Sequence, residues 1–143
     1  MLVRLLYISR LNNLSDAAVT ELTESILSTS RQHNTAKGIT GVLIYNNTIV
    51  MQLLEGGREQ VNALYNTISQ DKRHSDVVIL DFEEIAHRKF SDWSMGQVNL
   101  TKVNPSLLLK YSDTIQINPY MMSGKTSLAL LEELMASAAI ISR

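Results

Sequence analysis

"TIVMQLLEGG", residues 48 to 57, decides the fold. From Ile49 to Leu54 every side chain is apolar except that of Gln52. An unbroken apolar run, unlike an alternating one, leaves no side for water, so it reads as a strand buried on both faces. A primary amide in its middle needs partners, because burying an unpaired amide costs roughly 1 to 3 kcal/mol. The backbone groups of a paired strand are already used, which leaves other side chains or a ligand to satisfy Gln52.

Outward from this strand the chain alternates in kind. "GITGVLIY", residues 38 to 45, reads as a second strand, joined to it through Asn46 and Asn47, a residue type that tolerates positive φ in a two-residue hairpin turn. Beyond Gly56 and Gly57, the apolar Val61, Leu64 and Ile68 keep helical spacing. Residues 2 to 9 form the first strand, and "NLSDAAVTELTESILSTSRQHN" the first helix, with Ser15 as cap, Asp16 in its first turn and Val19, Leu22 and Ile26 on one face. "DVVILDF" is a fourth strand and "WSMGQVNL", residues 93 to 100, a fifth.

The order β-α-β-β-α-β is the ferredoxin-like pattern of the α+β class, a mixed sheet with both crossover helices on one face and strands one and three side by side at its centre. Taken as a parallel pair, those strands bring Tyr7 opposite Gln52 on one face, and Ile26 and Ile68 wall a slot above them. Residues 1 to 100 make this unit and residues 101 to 143 a helical extension. In the extension Asn104 caps a helix with Pro105 in its first turn, and a longer helix starts near Ser123. Its stripe of Leu128, Leu131, Leu134, Met135 and Ala138 needs a surface to cover, either the free face of the sheet or another subunit.

Composition narrows the function. The 143 residues are 45% hydrophobic and 19% charged, enough for one sizeable core. A net charge of −1, spread without blocks, argues against a nucleic-acid or membrane-surface binder and for small molecules or proteins as partners. Without cysteine there is no thiolate metal site or thiol nucleophile, and with no leader pattern a cytoplasmic location is expected. His33, His74 and His87 are too scattered for a zinc site. Gly124-Lys125-Thr126 resembles the end of a phosphate loop, but Pro119 stands where its first glycine belongs and no strand precedes it.

Taken singly, the polar candidates have ordinary structural readings. Gln52 can be a satisfied core amide and Tyr7 a core aromatic with its hydroxyl at the edge. In "RQHN", residues 31 to 34, His33 and Asn34 suit a helix C-terminus, and Arg73 and His74 a solvated turn or a phosphate contact. Trp93 and Met95, two residues apart, can share a face.

Together, "LLYIS" with Tyr7, "HNTAKGITGVLIY" with Asn34, "MQLLEG" with Gln52, "DKRH" and "FSDWSM" resemble the BLUF domains, blue-light sensors that bind flavin adenine dinucleotide, over residues 2 to 100. The tail is similar to that of the short, stand-alone PixD-like type. The resemblance implies a flavin, FAD with FMN or riboflavin as further possibilities, held between the two helices over the sheet. Asn34 and His33 would meet its polar edge, Ile26 and Ile68 would flank the ring, and Arg73 and His74 would lie on the ribityl and phosphate side. It implies that Tyr7 gives an electron and a proton to the excited flavin, that Gln52 rearranges between Tyr7 and the flavin and red-shifts its absorption, and that Trp93 and Met95 relay the change. The output would be a separate signalling protein, contacted by a homo-oligomer, a dimer or larger ring-like assembly, without enzymatic activity. Two other classes stand beside this one: a small-molecule enzyme, for instance a hydrolase using Arg10 and the buried amide, and a plain oligomerisation domain.

Overall fold

The computed structural model of the protein describes residues 1–32, 37–91 and 94–137. The elements run β1 (Leu2–Leu11), α1 (Asp16–Gln32), β2 (Thr40–Tyr45), β3 (Ile49–Gly57), α2 (Arg58–Ser69), β4 (His74–Glu84), β5 (Gly96–Asn99), α3 (Pro105–Leu109) and α4 (Gly124–Ala136). They build the α+β, ferredoxin-like arrangement expected from the order of elements. The sheet order is β4-β1-β3-β2-β5, with β1 and β3 adjacent near its centre. Ser15 Oγ accepts the Ala18 N–H at 3.2 Å, so the expected cap starts α1.

Three local expectations are corrected. Strands β1 and β3 are antiparallel, not parallel, because the β2–β3 hairpin reverses the chain after the α1 crossover. Tyr7 is nevertheless directly opposite Gln52 in the register. The hairpin turn needs no positive φ at its asparagines. Instead the Asn46 carboxamide oxygen accepts the N–H groups of Thr48 at 2.8 Å and Ile49 at 2.9 Å, an Asx turn that closes the connection. Strand β5 is only four residues long, so Met95 precedes it instead of lying in it. Met95 is fully buried all the same.

The alternation along β3 sorts its side chains into two cores. Val50 and Leu54 join Tyr7, Leu22, Ile26, Leu64, Ile68 and Met95 under the two helices. Ile49, Met51 and Leu53 join Leu6, Ile8, Val42 and the tail residues Leu108, Leu130, Leu131 and Leu134 on the other face. The apolar face of α4 is thus rotated from the expected stripe: Ser127, Leu130, Leu131 and Leu134 are buried, while Leu128 and Met135 pack at the edge of that core. Positions i, i+3, i+4 and i+7 meet the sheet because they share one side of a 3.6-residue helix. Ala138 lies outside the described residues. At Gly41 the strands approach so closely that a Cβ would stand 1.9 Å from the Leu53 carbonyl oxygen.

Candidate functional site

The centre of the helix-covered core is polar. Tyr7 on β1 and Gln52 on β3 are both fully buried, and the Tyr7 hydroxyl donates to Gln52 Oε1 at 2.8 Å. Gln52 Nε2 donates to Ser30 Oγ at 3.0 Å and faces Met95 Sδ at 3.5 Å. A thioether accepts but cannot donate, which fixes the NH2 end of the amide toward Met95 and leaves Oε1 for Tyr7. The Tyr65 ring meets Tyr7 edge-on, with centroids 5.5 Å apart. Burial first, and the neighbouring Tyr65 second, push the Tyr7 hydroxyl well above the usual tyrosine range. Tyr7 is therefore a neutral phenol at any ordinary pH, with its proton in the bond to Gln52 Oε1.

Met95 is tied in from a second side, since Arg31 Nη2 donates to its carbonyl oxygen at 3.4 Å. Ile26 on α1 and Ile68 on α2 lie in the same buried cluster as Tyr7 and Met95. The floor of the cluster is an amide with a donor and an acceptor, and its walls are aliphatic. Among the described residues, one of the two amide protons faces a thioether, a weak acceptor. A planar group with apolar faces and a carbonyl edge fits this donor set, because a carbonyl is the better acceptor for that proton.

The other sequence candidates fall differently. His74 is buried, with Nε2 donating to the Ile68 carbonyl oxygen at 2.9 Å and Nδ1 2.7 Å from Ser9 Oγ, which donates to it in the neutral ring. Arg73 forks onto Asp71, with Nε 3.0 Å from Oδ1 and Nη2 2.6 Å from Oδ2. Both have internal partners, so a phosphate at Arg73 competes with Asp71. Arg10 packs 4.2 Å from the Tyr120 ring centre and pairs with Asp76 at 3.3 Å. That places it with the tail, on the opposite face of the sheet from Gln52. His33, Asn34 and Trp93 lie outside the described residues.

Two contributors escaped the sequence reading, Ser30 and Arg31. Ser30 follows Ile26 by four residues, so helical spacing alone puts it on the face that looks at Gln52. A separate cavity of about 620 Å³ lies between α1 and the β2–β5 edge, lined by Thr20, Thr23, Leu27, Arg31, Tyr45 and Gln97 among others. It does not include Tyr7 or Gln52, so size and chemistry point to different places, and the paired redox-capable phenol and amide carry more weight.

The BLUF family model, described as sensors of blue-light using FAD, matches residues 2–96. The blue light- and temperature-regulated antirepressor BluF of Escherichia coli (strain K12) is 35% identical over 100 residues, which is 70% of this chain and 24% of that protein. The chain thus spans about a quarter of that relative's length. Among solved structures, the photo-activated state of BlsA superposes with a TM-score of 0.80 at 30% identity, covering 94% of this chain and 95% of that one. The dark state of BlrB, a BLUF protein, gives 0.74 at 33% identity, with 96% of each chain covered.

Proposed function

Because this chain belongs to the BLUF family, the sensors of blue light using FAD, we propose that it is a blue-light photoreceptor switched by the hydrogen bonds of Gln52. The observation that carries this reading is the buried chain of contacts from Tyr7 through Gln52 to Met95. Ile26 and Ile68 would flank a flavin held between α1 and α2, Asn34 and His33 would meet its polar edge, and the flavin would supply light absorption and an excited-state oxidant. The ring contacts are common to FAD, FMN and riboflavin; FAD is the form the family description names.

Tyr7 then gives up an electron, and its proton leaves along the bond to Gln52 Oε1. When the electron returns, Tyr7 recovers a proton, and Gln52 is left rearranged with no net change of charge, since an amide carries both donor and acceptor. A turned amide presents Oε1 to Met95 Sδ, which cannot donate, so the contact with Met95 is lost. Tautomerisation in place instead removes one of the amide protons that face Ser30 and Met95. Either change gives Met95 different contacts in the two states, which is the requirement for shifting a conformational population.

In this reading residues 1 to 100 sense light, and Met95 and Trp93 pass the change to the extension of residues 101 to 143. The product is a signal to a separate protein, delivered by a homo-oligomer, and no substrate is turned over. The test is one absorption spectrum of the purified flavin-loaded protein before and after blue light. A red shift that reverses in the dark is expected; a protein that takes up no flavin, or takes it up and shows no shift, overturns the proposal.

A further inference from the structure

A second polar cluster lies three residues along β3 from Gln52 and is not used by the photochemistry. Glu55 is fully buried and its carboxylate is filled on every side. Oε2 receives Arg4 Nε at 2.9 Å and Nη2 at 2.8 Å. Oε1 accepts the Phe90 backbone N–H at 2.7 Å, and the Lys89 N–H is shared between both oxygens at 3.1 Å. Arg88 adds two ties, Nη1 donating to Thr40 Oγ1 at 2.9 Å and to the Glu55 carbonyl oxygen at 3.3 Å.

The charge on Glu55 is thus directed at the main chain of the β4–β5 connection. Hydrogen bonds to a carboxylate are shorter and about twice as strong as neutral ones, so this attachment is stiff. The connection it holds ends five residues later at Met95, whose sulfur faces the Gln52 amide. From the same anchored point two side chains reach α4. Phe90 is fully buried in the core that contains Leu130, Leu131 and Leu134, and Lys89 Nζ pairs with Glu132.

We propose that Glu55 is a positioning residue of the switch: its carboxylate anchors Lys89 and Phe90, setting where Met95 meets Gln52 and passing displacement of that connection to α4 through Phe90 and the Lys89–Glu132 pair. The proposal rests on the photoreceptor reading, whose membership in a family of light sensors does not itself assign Glu55, Lys89 or Glu132 any part. It differs from a relay along β5 in its route, since β5 is the edge strand beside β2 and ends before α3.

The test compares light and dark amide exchange of α4, together with the red shift, in the flavin-loaded full chain. Lys89→Met breaks the exposed end of the route and leaves the buried site alone. It is expected to keep the red shift while the light-induced change in α4 exchange falls roughly two- to tenfold. The charge-reversed pair Lys89→Glu with Glu132→Lys is expected to restore that change. Glu55→Gln removes one of two accepting oxygens and leaves Arg4 with Glu83, 2.7 Å from its Nη1, as its remaining carboxylate partner. It is expected to bind flavin, shrink the red shift and abolish the α4 response. If Glu55→Gln does not fold, the Lys89 and Glu132 variants decide alone. An α4 response unchanged in Lys89→Met or in Glu55→Gln, or not restored by the reversed pair, overturns the route, as does a wild type with a red shift but no α4 response. A wild type with no red shift overturns the photoreceptor reading instead.

Discussion

The Tyr7–Gln52 bond makes a quantitative prediction that needs no light. Both side chains are fully buried, and Gln52 Oε1 is the partner of the Tyr7 hydroxyl. Tyr7→Phe keeps the edge-on contact with Tyr65 but leaves Oε1 without its donor, at a cost of about 1 to 3 kcal/mol for a buried group left unsatisfied. Gln52→Leu leaves the Tyr7 hydroxyl stranded, at a similar cost of about 1 to 3 kcal/mol. Ser30 adds little to it, because its hydroxyl can turn to a carbonyl of its own helix one turn back. With both residues apolar neither penalty remains, so the double variant should be far more stable than the sum of the singles implies, with a coupling equal to the two penalties together, about 2 to 6 kcal/mol. Urea denaturation of the four flavin-free proteins in the dark, with two-state behaviour checked by two probes, measures it. Additivity to within about 0.5 kcal/mol would refute the reasoning, since it would mean that another group already pairs with these atoms.

Gln52→Ala should bind flavin and stay yellow yet lose the light-induced red shift, and a retained shift removes Gln52 from the mechanism. On α4, the Ser127 hydroxyl is buried without a hydrogen-bond partner among the described residues. Ser127→Ala should therefore stabilise the protein by about 1 kcal/mol and raise Tm by roughly 3 °C, read by thermal unfolding; a fall in Tm counts against α4 docking as described. Asp71 is held below its ordinary 3.8, chiefly by the hydrogen bond from Arg73. A depressed carboxylate contributes stability above the unfolded-state value and loses it as pH falls through the folded one. The stability gap between wild type and Arg73→Ala should thus be open at pH 6 and close on acidification below about 4, and a gap independent of pH contradicts the pairing.

Much of the framework was legible because it is written in short-range patterns. Ser15 and Asn104 take up the cap positions read from the sequence, and Ser123 caps the helix expected to start near it, since a cap depends only on the next three residues. Tyr7 opposite Gln52 followed from strand order and a period of two, and survived the wrong sense of the pairing because both residues sit near the middle of their strands. The face of α4 was read one position off: Leu128 and Met135 are as apolar as Leu130, and only contact with the sheet selects among them. The Arg73 and His74 partners, Asp71, Ser9 and the Ile68 carbonyl, were equally hidden, because a charged or imidazole side chain in a turn has many acceptors within reach of its sequence neighbours.

The sequence by itself determined that β3 is buried on both faces and that its one amide must be satisfied from outside the strand, because an apolar run admits no water and paired backbone has nothing left to offer. Which groups satisfy it was decided only by the tertiary structure. Tyr7, Ser30 and Met95 stand 45, 22 and 43 residues away from Gln52 along the chain, and no local propensity encodes a meeting at that separation. It takes the α1 crossover to lower Ser30 onto the amide, and the Glu55 anchor on the connection after β4 to hold the segment that carries Met95 against it.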